Sequence, residues 1–102
     1  MGQNVEISRV TIIADAALEK TLVQEVLRLG AKGYTCMQCF GKGRHETVVD
    51  PLSGQSRVRI EVLTRPAVAA AILDYVHQGR FENYPVAAFS DTVQADGRDT
   101  FY

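Results

Sequence analysis

The residues best suited to chemistry cluster between Gly30 and Arg59, where Gly41-Lys42-Gly43-Arg44 joins two glycines to two cations. Glycine lets backbone N–H groups approach an anion closely. Arg can grip phosphate through two parallel hydrogen bonds, while Lys supplies a point charge. The run is not a Walker loop, because no eight-residue Gly…Gly-Lys-Ser/Thr frame is present and no helix follows, and it is not a dinucleotide fingerprint. Arg57 and Arg59 return toward it on a stretch whose alternation puts both on one face with Glu61. The four-residue run alone also suits a solvated loop. The two arginines also suit solvent, or pairing with Glu61 in an oligomer.

Cys36 and Cys39 have Cys-x-x-Cys spacing, as in a redox pair or half a zinc site. They fall in a run that reads as a strand, where a separation of three puts them on opposite faces. His45 and His77 are isolated, so no second pair completes a zinc site. The expectation is two small, partly buried thiols. No Ser-His-Asp or Cys-His constellation stands out, and Glu46, Asp50 and Glu61 form no obvious acid–base pair. His45, Glu46 and Asp50 lack the spacing of metal ligands. No catalytic residue, no metal ligand and no enzyme activity are expected.

The elements that must position these residues follow from periodicity. Val5 to Ala14 is rich in Val, Ile and Thr and reads as a strand. Asp15 is a plausible cap for a helix to Leu29, with Leu18, Leu22, Val26 and Leu29 at helical spacing and Gly30 as its stop. Gly33 to Phe40 is a second strand. Gly41 to Ser56 is a long loop with Asp50-Pro51 and Ser53-Gly54 as turn signals. A loop of that length in a compact domain is usually functional or disordered. Arg57 to Leu63 is a third strand, with Val58, Ile60 and Val62 on one face. A second helix opens at Thr64 or Arg65 with Pro66 in its first turn. It buries Val68, Ala69, Ile72, Leu73 and Val76, and Gly79 ends it. Tyr84 to Gln94 is the last strand, and residues 95–102 are a polar tail. The order β-α-β-β-α-β predicts an α+β, ferredoxin-like sandwich: a four-stranded antiparallel sheet with both helices on one face.

At 102 residues the chain is expected to be one domain spanning 1–102. A net charge of −1 gives no reason to expect nucleic acid. No apolar run approaches the roughly 20 residues of a membrane span. The start, Met1-Gly2-Gln3-Asn4-Val5-Glu6, does not read as a signal peptide. A cytoplasmic location follows as an expectation, with any membrane role needing a protein partner. Two helices cover only one sheet face, yet both faces carry apolar side chains, with Val10 and Ile12 against Thr11 and Ile13 in the first strand and Tyr34, Cys36 and Phe40 against Thr35, Met37 and Cys39 in the second. That predicts burial against other copies of the chain.

Gly30-Ala31-Lys32-Gly33-Tyr34-Thr35, then Gly41-Lys42-Gly43-Arg44, the long loop and the β-α-β return resemble the PII signalling superfamily. The resemblance covers about residues 5 to 95. It is nearest to the SbtB-type PII-like branch of cyanobacteria, encoded beside the sodium-dependent bicarbonate transporter SbtA. It implies a homotrimer binding AMP, ADP, ATP and cyclic AMP in inter-subunit clefts, with no required cofactor but with a divalent cation, Mg or Ca, beside ATP. It also implies that the long loop, the T-loop at 41–57, regulates the transporter as part of a carbon-concentrating mechanism. The protein would be recruited peripherally to the inner membrane without inserting in it. By position, Gly33, Tyr34 and Thr35 would lie near the nucleotide. Gly41, Lys42, Gly43 and Arg44 would form the loop base over the phosphates. Arg57 and Arg59 would reach phosphate or ribose, and Phe89 and Ser90 would help line the adenine pocket. Residues 41–57 contain no Tyr, so the uridylylation of classical PII proteins is not expected. The classical Thr-Gly-x-x-Gly-Asp-Gly-Lys loop is replaced by residues 79–85, which favours mono- or cyclic nucleotides. Residues 98–102 contain no Cys, so the redox control found in some SbtB-type proteins is not expected. The rival readings are a PII-like regulator of another transporter or of carboxysomes, a trimeric metal-tolerance protein of the same topology, and a small ferredoxin-like enzyme.

Overall fold

The computed structural model describes residues 4–41, 56–78, 81 and 84–98. Lys42, Gly43, Arg44 and the predicted T-loop up to residue 55 lie outside them, as do Gly79 and residues 99–102 of the tail.

The chain runs β1 (Asn4–Asp15), a 3-10 turn (Ala16–Leu18), α1 (Glu19–Arg28), β2 (Thr35–Phe40), β3 (Ser56–Thr64), α2 (Pro66–His77) and β4 (Val86–Asp96). The four strands form one sheet in the order β2-β3-β1-β4, with every pairing antiparallel. This is the predicted ferredoxin-like β-α-β-β-α-β arrangement.

Register sorts the sheet into two faces. Val10, Ile12 and Ala14 of β1 stand beside Val62, Ile60 and Val58 of β3. They join Leu22 and Val26 of α1 and Val68, Ala69 and Ile72 of α2 in one core. Ile12, Leu22, Ile60 and Ile72 are fully buried there. Both helices therefore cover one face, and their apolar stripes are the ones periodicity selects.

Local chemistry sets the helix ends. Asp15 does cap, but its carboxylate accepts from the Ala17 N–H at 2.8 Å. That bond, only two residues on, tightens the first turn to 3-10, and α1 begins at Glu19 rather than just after Asp15. At the other end, Gly30 N–H donates to the Leu27 carbonyl and Ala31 N–H to the Val26 carbonyl, both at 3.1 Å. This is a Schellman ending, and it holds Gly30 at φ +120°. Arg65 is extended and precedes α2, with Pro66 in its first turn as predicted.

Strand bounds shift in three places. Gly33 and Tyr34 precede β2, which starts at Thr35. Ser56 already belongs to β3, so the predicted loop 41–57 loses its last two residues to the strand. β4 begins at Val86, after a turn in which Tyr84 N–H donates to the Phe81 carbonyl at 2.9 Å. It continues through Asp96, two residues into the predicted polar tail, because Ala95 and Asp96 pair with Val5 and Asn4 of β1.

Candidate functional site

The face away from the helices is assembled by register. Thr35, Glu61, Thr11 and Phe89 form one row across the four strands. Met37, Arg59, Ile13 and Ala87 form the next, and Cys39, Arg57 and Asp15 a third. Phe89 is 49% exposed and Met37 41%. No helix among the described residues covers these side chains, which make up the second, partly apolar face expected from the strand sequences.

At the end of this face where β2 begins, a cavity of about 490 Å³ opens. Gly33, Tyr34 and Thr35 line it, joined by Arg9, Glu61 and Leu63. These three consecutive residues are the ones that the family resemblance would set near a nucleotide, and the fold places them beside residues of β1 and β3. Gly33 and Tyr34 reach the rim because the chain leaving the α1 cap is not yet paired there.

The remaining nominated residues divide. Gly41 follows the far end of β2, six residue steps beyond Thr35, a span of about 20 Å along a strand. Arg57 sits near that far end, only 5% exposed, with its Nη1 4.0 Å from the Asp15 carboxylate. Arg59 lies between the two ends, and its Nε donates to Glu61 Oε2 at 3.0 Å. Phe89 is on the open face, whereas Ser90 pairs in register with Val10 and faces the helix side. These two residues therefore do not line one surface within a subunit. Cys36 and Cys39 are free thiols on opposite faces of β2. Cys36 packs against the core, and burial pushes its thiol above the usual range.

Arg9, Leu63 and Val93 line the cavity without having been singled out by sequence. Arg9 and Asp91 are cross-strand neighbours on β1 and β4. Arg9 Nε donates to Asp91 Oδ1 at 3.0 Å, and Nη2 donates to Oδ2 at 2.6 Å. These hydrogen bonds hold the Asp91 carboxyl below the usual carboxylate range and raise the Arg9 guanidinium. The partners are 82 residues apart, and only the β1–β4 register reveals them. Among the described residues, no group of three or more His, Cys, Asp or Glu is placed to hold a metal ion. No helix among them is long and apolar enough to cross a membrane.

The cavity can therefore take a small ligand with both apolar and polar edges, and comparison with known proteins identifies the scaffold. A PII-like signalling protein from Thermus thermophilus is 38% identical, with 91% of each chain covered and a TM-score of 0.75. The CPII protein of Thiomonas intermedia, a nitrogen regulatory PII-like protein solved with ADP, AMP and bicarbonate, is 22% identical. That match covers 96% of this chain and all of CPII, with a TM-score of 0.77. The B. subtilis GlnK–ATP complex matches at 16% identity over 84% of this chain and 82% of its own, with a TM-score of 0.58. For CPII and GlnK the likeness is one of fold. No curated protein matches. The family model for nitrogen regulatory protein P-II matches residues 7–96. On that span, and on the 38% identity of the Thermus protein, the chain belongs to the nitrogen regulatory protein P-II family.

Proposed function

We propose that this protein is a PII-like sensor of adenine nucleotides, acting by ligand-controlled engagement of a partner rather than by catalysis. The observation that carries this reading is the cavity of the open sheet face in which the run Gly33-Tyr34-Thr35 meets Arg9 of β1 and Glu61 and Leu63 of β3. Family membership supports it, and so do the fold relatives captured with ADP and AMP or with ATP. The nucleoside end occupies the cavity. The phosphates are met by Gly41, Lys42, Gly43 and Arg44 at the base of the T-loop, with Arg57 and Arg59 contributing from the returning strand of the same or an adjacent subunit. Because the cavity and the loop base lie at opposite ends of β2, the complete site forms at the boundary between subunits of a homotrimer, where open faces meet. A divalent cation joins when ATP is the ligand.

The ligand acts by population shift. Nucleotide favours one T-loop arrangement over another only to the extent that it binds the two states with different affinity. The partner in this reading is a sodium-dependent bicarbonate transporter of the SbtA type, and the protein then works at the cytoplasmic side of the membrane without insertion. The bicarbonate held by CPII favours an inorganic-carbon role, and it equally fits a PII-like regulator of another transporter or of carboxysomes. Pull-down from membranes separates these partners.

Arg44→Ala tests the phosphate half of the site. It is expected to weaken AMP and ADP about tenfold or more, as loss of a charge-assisted pair should, and to leave adenosine nearly unchanged. Equal losses for nucleotide and nucleoside would remove Arg44 from the phosphate site.

A further inference from the structure

We propose that Asp15 is an internal competitor for Arg57. Its carboxylate holds the guanidinium that a nucleotide phosphate must draw away, and so limits how tightly phosphate-bearing ligands bind. The inference rests on the nucleotide reading above. It adds a residue that sets phosphate affinity without touching the phosphate.

The two residues meet by register. Asp15 is the last residue of β1 and stands directly opposite Arg57, the second residue of β3. Cys39 of β2 is the neighbour of Arg57 on its other side. Arg57 is almost fully enclosed, although no helix among the described residues lies over this face. A guanidinium enclosed to that extent needs a counter-charge close by, and Asp15 supplies one.

The Asp15 carboxylate has two duties. Oδ1 accepts from the Ala17 N–H at 2.8 Å and so caps the turn that leads into α1. Oδ2 lies 4.0 Å from Arg57 Nη1. The cap fixes where the carboxylate stands, because the end of β1 and the turn hold both ends of that bond. At 4.0 Å the contact with Arg57 is one of charge, beyond hydrogen-bond length. Glu61 holds Arg59 differently, accepting from its Nε at 3.0 Å. The Asp15–Arg57 tie is the looser of these two carboxylate–arginine pairs on the open face.

Geometry then favours exchange. A phosphate can take a guanidinium through two short, parallel hydrogen bonds. A carboxylate pinned 4.0 Å away does not make them. The phosphate therefore wins Arg57, but the energy of the Asp15 contact is subtracted from its affinity. Removing the charge of Asp15 should raise that affinity, which is the opposite of what damage to the fold would do.

Asn isolates this charge. It caps helices about as well as Asp does, so Asp15→Asn keeps the entry to α1 and removes only the carboxylate charge.

The test is a double-mutant cycle on the full chain. Wild type, Asp15→Asn, Arg57→Gln and the double variant are titrated calorimetrically with whichever of AMP, ADP and ATP the wild type binds most tightly. Asp15→Asn should bind that nucleotide about three- to tenfold tighter than the wild type. Arg57→Gln should bind it more weakly, and adding Asp15→Asn to that variant should recover less than about twofold. Thermal melting of each variant verifies folding. If Arg57→Gln fails to fold, the sign of the change in Asp15→Asn decides. Unchanged or weaker binding in Asp15→Asn overturns the competitor role alone. So does a gain of equal size in the Arg57→Gln background, or an Arg57→Gln variant that binds as tightly as the wild type. A wild type that binds no adenine nucleotide overturns the nucleotide reading and this inference with it.

Discussion

Thr11 shows how much of the open face single residues record. Alternation along β1 places it opposite the core-facing Val10 and Ile12, so its face was legible in the sequence. Its state was not. Thr11 is 0% exposed, and its hydroxyl has no hydrogen-bond partner among the described residues. It lies in register between Glu61 and Phe89, and only the assembled sheet reveals that crowding. An unpartnered buried hydroxyl costs about 1–3 kcal/mol, and Val has nearly the same shape. Thr11→Val is therefore expected to leave the melting temperature unchanged or raise it. A drop of several degrees would mean that the hydroxyl is bonded in the assembled protein. The candidate site divides along the same line. Gly33, Tyr34 and Thr35 are contiguous, and their chemistry shows in the sequence. Arg9 meets Asp91 on β4 and stands opposite Leu63 on β3, through strand pairings between distant segments that no local pattern specifies.

At the scale of elements, strong local signals translated directly into structure. Both helices bury the stripes their spacing marks, because a helix repeats every 3.6 residues wherever it sits. Gly30 after the last apolar turn ends α1 as such a glycine should. Strand ends were less legible, because pairing rather than composition fixes them. Ala95 and Asp96 look like tail but extend β4 along β1. Gly30→Ala probes the helix ending. The position needs φ +120°, and an added Cβ would lie 3.2 Å from Val68 Cγ2. Such backbone strain costs about 1–3 kcal/mol. For a domain near this size each kcal/mol shifts the midpoint by about 4–8 °C, so melting should fall by about 5–20 °C. An unchanged midpoint would show that the α1 to β2 connection does not depend on this conformation.

For the whole molecule, the two-faced sheet links fold to function. One face is sealed by α1 and α2. The other carries Phe89, Met37 and Ile13 with no helix over them. In the proposed trimer these faces meet, and the nucleotide site is completed at their boundary. Phe89→Asp puts a carboxylate into that contact, which is costly unless paired. Sedimentation velocity should show the wild type as a trimer and the variant as smaller species with weakened nucleotide binding. A variant that stays trimeric would place the interface elsewhere. The most direct test of the central claim is isothermal titration of the wild-type chain with AMP, ADP, ATP and cyclic AMP. The account predicts saturable, sub-millimolar binding of at least one of them. Absence of binding by all four would contradict it.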